Sequence, residues 1–273
     1  MRRTRRLCNA HMPDIQRSSL NITLAVWRAL LLREALSRLF GKRTAWVWLL
    51  LEPAVHMAFL VFVFVVIRVR HVGGIDTTLW LLAGLLAFFF FRRTGTAASN
   101  AVGANAALYT YRQVKPVDTV LVRAALEGVL MVVVAALILA AAAVLGVDVM
   151  PDDPLGILAA VFGLWLLGLG FGLVVSVIKE LSEDMGNVVG LAMMPLYLLS
   201  GVIMPLSIIP YPYQEWLLFN PIAHGLEAVR LGFAPYYHAV QGLSLAYLYE
   251  FALVLLFFGL ALHARFAQRL VTR

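Results

Sequence analysis

The feature that most constrains this chain is a succession of long apolar runs, the first over residues 46–67, separated by short polar breaks. A helix needs roughly 20 apolar residues to cross the hydrocarbon core of a bilayer. Inside that core every backbone N–H and C=O must find its partner within the protein, so only helices or closed barrels cross it. Composition agrees: of 273 residues, 62% are hydrophobic and 14% charged, whereas a soluble domain is about half apolar and a quarter charged. The expectation is an all-α polytopic membrane protein with one membrane domain and no large soluble one.

The runs predict six transmembrane helices, over 46–67, 79–106, 120–145, 155–178, 188–204 and 245–263. The apolar part of the second ends at Phe91, too short to cross. No proline follows, and the next residues are small enough for close helix packing. That helix is therefore extended to Ala106, with Arg92 and Arg93 partway along it. Residues 1–19 read as a disordered basic tail. Over 20–43, Leu20, Leu24, Trp27, Leu31, Ala35 and Leu39 recur at helical spacing. Arg28, Glu34, Arg38 and Lys42 interrupt that stretch, so it reads as an amphipathic interface helix on the inner membrane surface. The transmembrane domain then occupies 44–273.

Residues 200–230 are apolar yet carry Pro205, Pro210, Pro212 and Pro221. Proline removes a donor and clashes with the preceding turn, so the stretch does not span. It reads as short re-entrant helices between spans 5 and 6, with Glu227 and Arg230 paired at helical spacing. Basic residues concentrate near the N-terminus, and only Arg68, Arg70 and Arg230 fall on the outer side of this arrangement. The positive-inside rule puts both termini in the cytoplasm. It also explains the net charge of +7 better than nucleic-acid binding does. The paired arginines near the start have no apolar run after them, so no cleavable signal is expected. Cys8 is the only cysteine, which leaves no intrachain disulfide.

No nucleotide-binding loop is present: Gly41-Lys42 lacks the preceding glycine and is followed by Arg43. The six histidines have no metal-ligand spacing. Charged residues inside spans are costly and tend to face a bundle interior or a cavity. Trp48, Glu52, His56 and Phe59 share one face of the first span. Glu52 and His56 either line a path, or Glu52 fixes packing by pairing with a basic neighbour. Arg92 and Arg93 either draw a polyanion through the membrane or sit at the inner headgroups. Gly168 with Gly172, and Gly186 with Gly190, have the spacing of close helix contacts within or between subunits. Trp165, Tyr197 and Trp216 suit either sugar stacking or interface anchoring. The inner loop at 107–118 is aromatic on one side and basic on the other, a short helix ended by Pro116 that suits docking to a cytoplasmic partner.

In succession, LLREALSRLFGKRTAWVWLLLEPAVH, YRQVKPVDTVLVRAALE, LSGVIMPLSIIP and FNPIAHGLEAVR resemble the permease subunit of ABC-2-type exporters. The nearest likeness is to the capsular-polysaccharide export permeases of Gram-negative bacteria, in matching order from about Leu30 onward. The resemblance implies no enzyme and no bound cofactor, but a homodimer joined to a separate ATPase dimer that carries ATP and Mg. It implies a coupling helix near 107–117, with Tyr109, Tyr111, Arg112, Gln113, Val114, Lys115 and Pro116, and a second ATPase contact at Glu180, Glu183 and Asp184. A lipid-linked acidic polysaccharide would enter by its anchor near Arg28, Arg33, Arg38 and Lys42. It would pass Glu52, His56, Arg92, Arg93, Trp165 and Tyr197. An exit-side gate would comprise Pro205, Pro210, Tyr211, Trp216, Asn220, Pro221, Glu227 and Arg230. The further partners implied are membrane lipid and periplasmic and outer-membrane export proteins, at the bacterial inner membrane. The alternatives are an ABC-2 permease for O-antigen, teichoic acid or a lipophilic drug, and an ion-coupled secondary transporter.

Overall fold

The computed structural model describes residues 19–41, 45–67, 71–182 and 184–271. Residues 1–18 of the basic tail, Lys42 and Glu183 lie outside the described residues, and Ser19 already belongs to the first helix. The described residues are predominantly helical. Helix α1 (Ser19–Phe40) precedes α2 (Ala45–Val66). A small hairpin, β1 (His71–Val72) and β2 (Ile75–Asp76), turns the chain into α3 (Thr77–Ser99). The one-turn α4 (Ala101–Ala104) and a 3-10 turn (Ala106–Thr110) lead to α5 (Pro116–Val144) and α6 (Pro154–Leu181). Then come α7 (Met185–Leu199), a 3-10 turn (Leu206–Ile208), α8 (Tyr213–Leu217), α9 (Pro221–Phe233), α10 (Leu245–Arg265) and α11 (Ala267–Val271).

Local chemistry sets the starts of the long helices. Asp76 accepts from the N–H groups of Thr78 (2.8 Å) and Leu79 (3.2 Å) to cap α3. Asp153 accepts from Gly156 N–H at 2.9 Å ahead of Pro154 in α6, and Ser244 accepts from Tyr247 N–H at 3.2 Å in α10. These groups satisfy donors that a helix N-terminus leaves open. Pro116, Pro154 and Pro221 occupy the first turns of α5, α6 and α9, where a missing N–H costs nothing.

Helix α6 is the hub, packed against α3, α9 and α10. Apolar surface gains little by leaving lipid, so such contacts depend on close packing. A side chain at Gly172 would overlap Ala98 of α3, and one at Gly168 would lie 2.8 Å from the Phe91 carbonyl. The Gly168–Gly172 spacing thus sets the approach of α6 to α3. Among the described residues, nothing lies within 4 Å of a side chain placed at Gly190. Of the apolar window of α3, 78% is buried, against 17% for α10. Helix α3 is therefore the enclosed element, and α10 presents most of its surface outward.

Among the described residues, four helices are long and apolar enough to cross a membrane: α3, α5, α6 and α10. The other two expected spans are shorter apolar stretches, 50–64 within α2 and the 15-residue α7. At 1.5 Å per residue α7 is about 22 Å long, short of a core of about 30 Å. None of its residues is buried.

The expected extension of the second span to Ala106 is not observed. Helix α3 ends at Ser99 because Asn100 turns to φ −96°, ψ 2°, and its side-chain amide donates to the Thr96 carbonyl at 2.9 Å. Asparagine amides compete in this way with the helix ladder. Pro116 likewise opens α5 rather than closing a coupling helix. The segment before it is the 3-10 turn and an irregular connection.

Candidate functional site

The bundle has two polar ends. One carries a charge network that ties α1 to α3 and α5. Glu34 accepts from Arg123 Nε at 2.7 Å and from Arg38 Nε at 3.2 Å. Glu127, only 2% exposed, accepts from Arg93 Nε at 2.8 Å and from Arg38. Trp27 Nε1 donates to Asp118 at 2.9 Å, and Arg33 donates to Asn105. Buried carboxylates need such counter-charges, since an unpaired buried charge is strongly destabilising. Burial alone would raise the Glu34 carboxyl. The hydrogen bond and charge of Arg123, then Arg38, outweigh it and hold Glu34 below its ordinary 4.5.

Two of the expected entry residues belong to this network. Arg33 and Arg38 are both bonded within it, Arg33 remaining partly exposed, while Arg28 is exposed. Arg93 is engaged by Glu127. Arg92 is exposed, and among the described residues neither it nor Glu52 has an ion pair within 4.0 Å. Both line an open cleft of about 280 Å³ together with Arg38, Pro53, Phe89, Arg93, Thr96, Ala97 and Glu127. Three arginines face two glutamates there, an excess of one positive charge. Further along α2, His56 Nε2 lies 2.9 Å from the Tyr197 hydroxyl of α7. Trp165 does not open onto this cleft. Its Nε1 donates to the Ala124 carbonyl at 2.9 Å and its ring stacks on Phe162.

At the same end, the connection into α5 is rooted at one point and exposed at the rest. The Tyr109 hydroxyl lies 3.1 Å from the Val102 carbonyl and 3.0 Å from Thr119 Oγ1. Burial pushes that phenol up to about 12. Tyr111, Arg112, Gln113 and Lys115 are exposed, Val114 is half-buried, and Pro116 is buried. Glu180 stands beside Gly103 of α4, and Asp184 is exposed. The two expected contact regions are thus neighbours in space.

The opposite end carries a second, buried cluster. Arg230 has no exposed surface. Its Nη1 donates to Glu227 Oε1 at 2.7 Å, the pair expected from their spacing. Its other nitrogens donate to the carbonyls of Trp80 and Val202, each at 3.3 Å. The guanidinium carbon lies 3.8 Å from the Trp80 ring centroid. Tyr237 donates to Glu227 at 3.3 Å and accepts from Trp80 Nε1 at 3.1 Å. Asn220 caps α9 through Ile222 N–H (3.1 Å) and donates to Ser200 Oγ at 2.8 Å, closing the proline-broken stretch into a loop. Pro221 is buried and Pro205 half-buried, while Pro210, Tyr211 and Trp216 are exposed.

Glu34, Arg123, Glu127 and Trp80 were not among the expected site residues. The one sequence signal was the spacing of Arg123 and Glu127, four apart within an otherwise apolar run. Their partners are on other helices, which spacing does not reveal.

Long apolar helices, a helix latched to one end by ion pairs, and an exposed basic and aromatic loop beside it define a polytopic membrane protein. Over residues 25–234 the chain matches the family model described as "ABC-2 type transporter". The chain belongs to this family of membrane transport proteins, and transport rather than catalysis is its class. It is 35% identical over 257 residues to the "Polysialic acid transport protein KpsM" of Escherichia coli, covering 94% of this chain and 99% of that one. It is 29% identical to the "Capsule polysaccharide export inner-membrane protein CtrC" of Neisseria meningitidis serogroup A, over 92% of this chain and 94% of that one. With the "Capsule polysaccharide export inner-membrane protein BexB" of Haemophilus influenzae it shares 26% identity over 80% of this chain and 82% of that one.

Proposed function

We propose that this chain is the inner-membrane permease subunit of an ATP-driven exporter of lipid-linked acidic capsular polysaccharide. The observation that carries the reading is the near full-length similarity to KpsM, a polysialic acid transport protein by name. Supporting it is the basic cleft between α2 and α3, whose Arg92 is free to meet a carboxylate or phosphate.

In this reading α2 and α7 join the four long helices to make six spans, both termini are cytoplasmic, and α8 and α9 are re-entrant on the periplasmic side. Two copies assemble. Helix α7, with no buried residue of its own, gains its packing against the second copy. A separate cytoplasmic ATPase dimer binds ATP and Mg and docks on Tyr111, Arg112, Gln113 and Lys115, with Glu180, Glu183 and Asp184 as a second contact. Nucleotide-driven closure displaces that loop. The polymer enters past Arg28 and Arg92, moves between the protomers past Glu52 and the His56–Tyr197 pair, and leaves beneath the proline-rich loop. Periplasmic and outer-membrane proteins receive it. A repeating anion held by one unpaired guanidinium at a time can keep moving, whereas tightly bound sugar would stall.

The test is export by cells or vesicles carrying Arg92→Ala. With Glu127 and Arg93 left intact, α1 stays latched. Export is expected to fall about tenfold, the scale of one lost charge-assisted contact. Export unchanged from the parent chain would remove Arg92 and its cleft from the pathway.

A further inference from the structure

Between α3 and the exposed loop the chain is interrupted twice by asparagine, at Asn100 and Asn105, on either side of α4. Both leave helical geometry, at φ −96°, ψ 2° and φ −116°, ψ 13°. Each amide nitrogen closes its own turn: Asn100 donates to the Thr96 carbonyl at 2.9 Å, and Asn105 to the Ala101 carbonyl at 2.8 Å. That leaves one oxygen on each side chain, and each meets a cation from another helix. Asn100 Oδ1 accepts from Lys179 Nζ of α6 at 2.9 Å, and its carbonyl accepts from Arg123 Nη1 of α5 at 3.0 Å. Asn105 Oδ1 accepts from Arg33 of α1. Six consecutive residues therefore grip α1, α5 and α6 through cationic donors.

We infer that Asn100 and Asn105 are positioning residues for transport, the points at which movement of the exposed loop is passed to three helices together. The inference rests on the docking of an ATPase on that loop. Its physical basis is the kind of bond. Hydrogen bonds from charged donors are stronger than neutral ones and have fixed direction, so displacing the asparagines pulls Arg33, Arg123 and Lys179 with them. Packed rigid elements joined by such bonds carry coupling between sites. A leucine at 100 removes the bond to Lys179, leaving Arg123 on the main-chain carbonyl, and a leucine at 105 removes the bond to Arg33, so each keeps bulk but lets the loop shift without moving that helix.

The experiment uses the full chain, in complex with its ATPase, in vesicles loaded for export, and reads ATP turnover and polymer exported in the same sample. Asn100→Leu and Asn105→Leu are expected to keep turnover while polymer exported per ATP falls about tenfold, as for a lost hydrogen bond to a charged group. Asn105→Asp, which keeps an acceptor for Arg33, is expected to recover most of the ratio. An unchanged ratio, or turnover and export falling together, overturns the inference and leaves the asparagines as simple helix pins. If the leucine variants fail to accumulate, Lys179→Met is read in their place, and an unchanged ratio there overturns it equally. Capture of the ATPase by the Arg112→Glu/Lys115→Glu variant separates the two readings. If the ATPase stays bound, the docking reading fails. If it is released while the asparagine variants keep the parent ratio, only the present inference fails.

Discussion

Arg230 is fully buried, and Glu227, the Trp80 ring and two backbone carbonyls together hold its charge. Gly84 makes the space: a side chain there would overlap the guanidinium. Removing one member of a buried pair costs about 3–5 kcal/mol, because the other charge is left uncompensated. Arg230→Met is therefore expected to lower the unfolding temperature of the purified protein sharply. The double variant Glu227→Leu/Arg230→Met should regain much of the loss. If the double variant is as unstable as the single one, the cost lies in packing and not in charge. Glu34 makes a different prediction. Its folded carboxyl titrates below 4.5, so undocked α1 binds the proton more readily than docked α1. Docking stability from this group is fully present above pH 4.5 and is lost as the pH falls through the lowered value. Fluorescence of Trp27, which is bonded to Asp118 in the docked helix, should shift to the red on acidification below that point. Glu34→Gln should show part of the shift already at neutral pH. A parent chain whose Trp27 emission is flat through this range would contradict the assignment.

Helix α9 exists where it does because Asn220 caps it, Pro221 starts it and Asn220 also holds Ser200. Loss of an N-cap costs about 1 kcal/mol. Asn220→Ala should lower the midpoint of unfolding modestly and raise protease cleavage within 200–220, while Asn220→Asp, a good cap, should not. The same stretch illustrates what the chain's letters convey. The four prolines announce that 200–230 cannot be one continuous helix, and i,i+3 spacing announces the Glu227–Arg230 pair. Long apolar helices are equally plain, because periodicity and length are local properties. The end of α3 was not legible. Small residues after Phe91 favour continued helix, and only the side-chain bond of Asn100 to Thr96 ends it. The arginine-rich end was half legible. Basic residues in α1 are visible, but Arg38 is held by Glu127, 89 positions away, a distance no periodic pattern encodes. Arg92 and Arg93, adjacent and alike in the sequence, part company in the fold for this reason: both line the cleft, but Glu127 pairs with Arg93 and not with Arg92.

The whole molecule has an enclosed centre in α3 and α6, a latched charged end, a pinned proline-rich end, and in α7 an apolar helix with no buried residue. An exposed helix of this kind suits a protein completed by a second copy. In a Cys8→Ser background, Met194→Cys, which sits on the exposed face of α7, is expected to give disulfide-linked dimers on mild oxidation in membranes, whereas Val144→Cys at the end of α5 is not. Equal linking from both would reflect crowding instead of an interface. The central claim, that the chain moves an acidic polymer using energy from a separate ATPase, is most directly tested by export into sealed vesicles. Purified permease is reconstituted with and without the ATPase and supplied with lipid-linked acidic polysaccharide. The expected result is polymer protected from added glycosidase only when permease, ATPase and ATP are all present. Protection without the ATPase, driven by an ion gradient alone, would contradict it.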